Sequence, residues 1–217
     1  MSEDLAPLIW QATRETLVMV GAAMAVTIPL GLLAGVLLLL TGPGQLLAQP
    51  VAHRLLGAVV NIGRSVPFII LLVAVIPVTR ALVGTTIGTT AAIVPLAIAT
   101  VPFFARIVEA ALREVPGGLV EAALAAGARR REVVTKVLIP EALPALVAGV
   151  TITTIGVIGY SAMAGAVGGG GLGDVAIRYG YQRYETDVTL ATVVVLVVLV
   201  QLLQLAGDRL ARRLSHT

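Results

Sequence analysis

Gly168, Gly170 and Gly173 stand in a G-x-G-x-x-G spacing, the pattern in which backbone N–H groups cradle the pyrophosphate of a dinucleotide. That chemistry needs a strand before the glycines and a helix after them in a soluble βαβ unit. Here they follow a long uncharged run at 144–166, so the spacing ends a membrane helix and dinucleotide binding is rejected. Gly84 to Thr90 reads GTTIGTT without a lysine, which excludes a P-loop. The chain has no Cys, so thiol catalysis, disulfides and Cys-ligated metal are excluded. His53 and His216 are too far apart to give a metal-ligand spacing. No Ser/His/Asp triad, carboxylate pair or zincin pattern is present. The expectation is therefore no catalytic residue, no metal and no cofactor on this chain.

Two other groups of residues suit movement better than bond-making. At 100° per residue, Gly149, Thr153, Gly156, Tyr160 and Met163 follow a 4-3-4-3 spacing and share one helix face. Glycines admit a neighbouring helix, Tyr160 and Met163 supply bulk, and a thioether suits an apolar substrate side chain. Ser161 and Thr154 lie about 100° round and could supply hydrogen bonds. If the chain moves a substrate across the membrane, Thr153, Tyr160, Ser161 and Met163 are the candidate translocation path or gate, with plain helix packing as the alternative. The second group is Glu121 to Pro144, EAALAAGARRREVVTKVLIPEALP, the one long polar and basic insert in the chain. Leu119 to Ala126 reads as a short Ala-rich helix, and Gly127 stands where a left-handed residue would stop it. Arg130 to Leu138 reads as a second short helix with Val133, Val134, Val137 and Leu138 on one face.

The elements that must hold these groups are membrane spans. Of 217 residues, 58% are hydrophobic and 12% charged, against about 25% charged in soluble domains. The net charge of +3 is no nucleic-acid footprint. The expected architecture is all-α and integral to the membrane, one domain over 1–217 without repeats. Five spans are expected at about 16–40, 55–78, 89–110, 144–166 and 188–206, with a cytosolic loop at about 111–143. Gly31 and Gly35 form a GxxxG in the first span. Arg64 and Pro67 interrupt the second, Arg80 falls in the loop that follows it, and Pro95 and Pro102 break the third. Glu3 and Asp4 argue against a signal-peptide n-region, so no cleavage is expected. Asp208 to Thr217 reads as a short basic tail.

Five spans put the termini on opposite sides. Arg54, Arg106, Arg113, Arg129, Arg130, Arg131, Lys136, Arg209, Arg212 and Arg213 then share one side, and Arg14, Arg80, Arg178 and Arg183 the other. The positive-inside rule makes the first side cytosolic, with the N-terminus outside and the C-terminus inside.

Glu121-Ala122-Ala123, Gly127 and Val137-Leu138-Ile139-Pro140 resemble the EAA loop of ABC importer permeases, with Ile139-Pro140 in place of the usual Leu-Pro and Val137 in place of Ile. Ser65 to Leu72, Pro102 to Glu109 and Gly159 to Asp174 are similar to the methionine-uptake branch of that family. The resemblance implies a type I importer fold and a homodimer in the cytoplasmic (inner) membrane. It also implies two cytosolic ABC ATPase subunits and an external or periplasmic methionine-binding protein, with ATP-Mg bound by the ATPase partner. Glu121, Ala122, Ala123 and Gly127 would form the coupling contact. Small side chains allow close approach, and Glu121 near a helix start is available to a partner's arginine. The function implied is import of L- or D-methionine or a close analogue, with another small amino acid or peptide as the alternative. An ion-coupled secondary transporter would show repeats or intramembrane acids, and a structural subunit would need no polar residues within the fourth span.

Overall fold

The computed structural model describes residues 5–215. Glu3, Asp4 and His216 therefore lie outside the described residues. Every element among those described is helical. Helix α1 (Leu5–Thr41) is followed by α2 (Pro50–Ser65), α3 (Phe68–Ala74), α4 (Ile76–Val83) and α5 (Thr89–Arg113). Then come α6 (Gly117–Ala125), α7 (Arg130–Val133), α8 (Ile139–Glu141), α9 (Leu143–Ala164), α10 (Gly171–Val175) and α11 (Thr186–Leu214). Helices α1, α5, α9 and α11 are each long and apolar enough to cross a membrane. Among the described residues there is a fifth crossing only if the bent pair α2–α3 is counted as one.

That pair corrects the continuous second span. Val66 is extended (φ −86°, ψ 123°), because a residue before proline is pushed out of the α region. Pro67 then caps α3, and the two helices meet at 104°. Arg64 consequently ends a helix, where its charge is favoured by the macrodipole, rather than interrupting one. Arg80 lies within α4 and not in a loop. Pro95 and Pro102 do not break α5, which runs unbroken for 25 residues; in a membrane bundle neighbouring helices make such prolines tolerable. The first span starts earlier than expected, since α1 is helical from Leu5. The last helix runs through Asp208 to Leu214, replacing the tail. Hydropathy marks where apolar sequence ends, whereas helix continues for as long as propensity and capping allow.

The core is built on the α1–α5 pair. A Cβ on Gly31 would stand 2.7 Å from Phe104 Cδ1, and one on Gly35 2.5 Å from Val108 Cβ. The GxxxG is thus the face on which α5 lies. One turn N-terminal to Gly31, the buried Thr27 and Thr100 hydroxyls share a hydrogen bond of 2.7 Å between the helices. Met19, Ala23 and Met24 of α1 meet Leu96 of α5 and Val157 and Ile158 of α9 in one cluster. A second cluster joins Leu39 and Leu40 to Phe104, Val108 and Leu112, and reaches Val133, Leu138 and Leu146. Helix α7 and the turn after it are therefore anchored in the bundle.

Candidate functional site

Nothing in α6 is buried. Leu119 and Leu124 are about two-fifths exposed, and Glu121 and Ala122 are open while Ala123 is half-buried. A helix of nine residues is too short to hold itself in water, so its ends must be fixed from outside. Pro116 starts it, and Gly127, at φ +84°, ends it. The Gly127 N–H donates to Leu124 O at 2.9 Å and the Ala128 N–H to Ala123 O at 3.0 Å. These are the two bonds of a Schellman motif. They turn the chain directly into α7, and that turn is what Gly127 contributes.

Helix α7 is tied down on both sides. The Arg129 N–H donates to Glu132 Oε2 at 2.9 Å, and Lys136 Nζ to Glu132 Oε1 at 2.9 Å. The backbone bond from Arg129, and then Lys136, hold the Glu132 carboxyl below its usual range. It stays ionised at neutral pH and keeps the start of α7 capped. Val133 and Leu138 are buried and Val134 and Val137 half-buried. Residues 134–138 widen into a π-type turn. Helix α6 is therefore an exposed ridge on a fixed base.

The other end of α6 is joined to α5, where a polar cluster occurs that sequence reasoning missed. Glu109 is 4% exposed. Arg106 Nη1 donates to its Oε2 at 2.6 Å and Arg113 Nη2 to its Oε1 at 2.5 Å. Arg106 Nη2 also donates to Asn61 Oδ1 at 2.9 Å and to Gly57 O at 3.4 Å, bracing α2 against α5. The Arg106, Glu109, Arg113 spacing on one helix face was the available signal. Its burial could not be seen before α2 was placed beside it.

The candidate path residues do not share one environment. Thr153 and Ser161 point into the protomer, and their hydroxyls donate to Gly149 O (2.7 Å) and Ile158 O (2.7 Å). Gly149 is packed against Ile107 of α5. Tyr160 is half-buried and stacks on Phe68 with centroids 4.7 Å apart and planes 12° from parallel. Gly156 has open space beside it and Met163 is 41% exposed. Together with Ile152 and Gly159 they form the open face of α9. Phe68 was not singled out from sequence; its role depends on the bend at Pro67.

The glycine run after α9 is a tight hairpin onto α10. Gly168, Gly170 and Gly171 have φ of +90°, +80° and +76°. The Gly171 N–H donates to Glu15 Oε2 at 2.8 Å and the Leu172 N–H to Thr16 Oγ1 at 2.9 Å. Backbone donors that a pyrophosphate would need are thus already bonded to α1. Gly165 and Gly173 let α9 and α10 touch, since a Cβ on either would overlap the other segment's backbone. The run is pinned rather than slack. Nearby, Arg178 pairs with Asp174 and Arg183 lies 4.5 Å over the Tyr179 ring. The bond to Asp174 raises the Arg178 pKa above its ordinary value. No group of three or more potential metal ligands exists among the described residues.

Residues 27–216 match the family described as binding-protein-dependent transport system inner membrane component. The chain is 57% identical over 209 residues to the probable D-methionine transport system permease protein MetI of Vibrio cholerae, covering 96% of this chain and 93% of that protein. It is 52% identical over 165 residues to the D-methionine transport system permease protein MetI of Escherichia coli K12, covering 76% of each. A solved structure titled as inward-facing conformations of the MetNI methionine ABC transporter superposes over 100% of both chains, with a TM-score of 0.97 and 51% identity. A histidine-containing amino acid ABC transporter structure, at TM-score 0.80 and 19% identity over 98% of this chain and 96% of that one, shares the fold.

Proposed function

Because this chain belongs to the family of binding-protein-dependent transport system inner membrane components, we propose that it is the permease subunit of an ATP-driven methionine importer. It is a multi-pass inner-membrane protein of the type I ABC importer fold, and its substrate is methionine in the D or L form. The permease is dimeric and works with separate ATPase subunits.

The observation that carries the mechanism is the exposed α6 ridge on its fixed base. Two cytosolic ATPases, holding ATP-Mg, would grip α6 of each protomer through Glu121, Ala122 and Ala123. The Gly127 turn would keep the ridge at a constant angle to α7. Closure of the ATPases would then move α5, which continues without interruption towards the middle of the bundle. Met163 and Gly156 would meet the second protomer near the dimer axis, where Met163 closes the path. Tyr160, backed by Phe68, would set the width beside it. Thr153 and Ser161 would shape the helix behind this face. An external methionine-binding protein would deliver substrate to the far side, with the N-terminus outside and the C-terminus in the cytosol. The distribution of arginines supports that orientation.

Uptake into vesicles containing the assembled complex, with binding protein supplied outside, tests this reading. Methionine should accumulate only with ATP and be unaffected by a proton uncoupler. Uptake that survives without ATP, or collapses with the uncoupler, would favour ion coupling instead.

A further inference from the structure

A groove of about 410 Å³ lies between α1, α5, α9 and α11 at the end of the bundle that carries the α6 loop. Its walls are carbon, with Leu32, Phe104, Val150 and Leu203 among them. The only side-chain oxygens are those of Thr151 and Thr154, and both already donate to their own helix, at 2.9 Å to Val147 O and 2.7 Å to Val150 O. The ammonium and carboxylate of an amino acid would find no partner here to offset their desolvation, so the groove is no part of a substrate path.

Its position points to the bilayer. Val147 and Thr154 lie about 160–180° round α9 from Met163, so the groove opens away from the open face of that helix. Along α9 it extends from Leu143 to Thr154, about 16 Å at 1.5 Å per residue. That is about half of a 30 Å hydrocarbon layer, or one leaflet. On α11, Leu203, Ala206 and Leu210 line it. Arg213, one turn further, continues the same face at the mouth. Arg213 is exposed and its guanidinium has no partner among the described residues. Asp208 is turned to the other side of α11 and accepts from Gln204 at 2.7 Å.

We propose that this groove holds one acyl chain of an anionic glycerophospholipid from the leaflet on the α6 side, with the lipid phosphate on Arg213. The apolar depth matches one chain, and the arginine at the rim selects the headgroup charge. This site does not depend on what the transporter carries.

The test uses the complete complex in phosphatidylcholine nanodiscs containing a little phosphatidylglycerol with a photoreactive group near its chain end. Adducts should concentrate on 147–154 of α9 and around Leu203. Unlabelled phosphatidylglycerol should displace them at about one-fifth the amount of phosphatidylcholine needed, the worth of one arginine at an anionic leaflet. Arg213→Gln should abolish that fivefold preference and leave the adduct positions unchanged. Ala206→Phe should fill the groove and remove the adducts. Adducts spread equally over Val197 and Leu205, which lie about 120° and 160° round α11 from Leu203, would overturn the proposal. So would equal displacement by the two lipids in the unaltered protein, which needs no variant to fold.

Discussion

Replacing Gly127 by valine isolates backbone conformation from packing. Gly127 sits at φ +84°, and a Cβ there would meet nothing within 4 Å, so no side-chain clash contributes. A β-branched residue held in the left-handed region carries a strain of about 1–3 kcal/mol. Relief of that strain means opening the Schellman turn and letting α6 leave its angle to α7. With RT near 0.6 kcal/mol, the grip-competent geometry should fall in population by about 5- to 150-fold relative to the relaxed one. Asparagine tolerates the left-handed region, so Gly127→Asn should lose far less, and Gly127→Ala should fall between. The measurement is ATP-driven uptake per assembled complex, alongside the affinity of the purified permease for its ATPase. The expected order is Gly, Asn, Ala, Val, with membrane insertion unchanged throughout. Equal uptake by the Asn and Val variants would refute the backbone argument, because they differ chiefly in their tolerance of φ > 0.

Single cysteines can be labelled without background in a chain that has none: Arg131→Cys should react only from the cytosolic face and Arg183→Cys only from outside, and labelling of both from one side would reject the orientation. Gly35→Val would drive a side chain into Val108 and the Ala105 carbonyl, forcing α1 from α5 at a cost of about 3 kcal/mol or more; thermal unfolding in detergent should show a clear loss that Gly21→Val, with open space around it, does not. Met163→Ala should widen the closure and raise ATP hydrolysis in the absence of binding protein, while Tyr160→Ala should weaken uptake more than assembly. If both simply reduce dimer stability, with uptake per complex unchanged, that face of α9 is packing alone.

The apolar runs located the four long helices because burial in lipid requires continuous hydrophobicity whatever the helix packs against. They failed where the backbone leaves a straight path. Pro67 and the two prolines of α5 illustrate the difference. The sequence of each is a proline in an apolar run, yet one marks a break with a 104° bend and the others leave the helix continuous. What separates them is support. In α5 the helix is flanked by α1, α2 and α9, which hold it together across the missing bonds, whereas 55–78 is mostly exposed on the outside of the bundle. Local sequence specifies the weak point, and the neighbours decide whether it yields.

The same division explains the site. Gly127 was legible because a Schellman turn is local, and its bonds span only residues 123–128. The cluster on the buried Glu109 was not, because Arg106, which pairs with it, is also held by Asn61 and Gly57 of a helix some fifty positions away. Nor was the pinning of the glycine run, where the hydrogen bonds reach back across 156 residues to α1. These long-range contacts assign α1 and α5 distinct mechanical parts. Helix α1 holds the hairpin beyond α9 through Glu15 and Thr16 and holds α5 through Gly31 and Gly35. Helix α5 runs from that packed middle, past the Arg106–Glu109–Arg113 brace, into the α6 ridge. A force on α6 would therefore reach the bundle along a helix braced by two arginines on the buried Glu109 at its exposed end and by close backbone contact further in. Bending within α5 would have to break one of the two, which favours transmission as a rigid rod over local yielding.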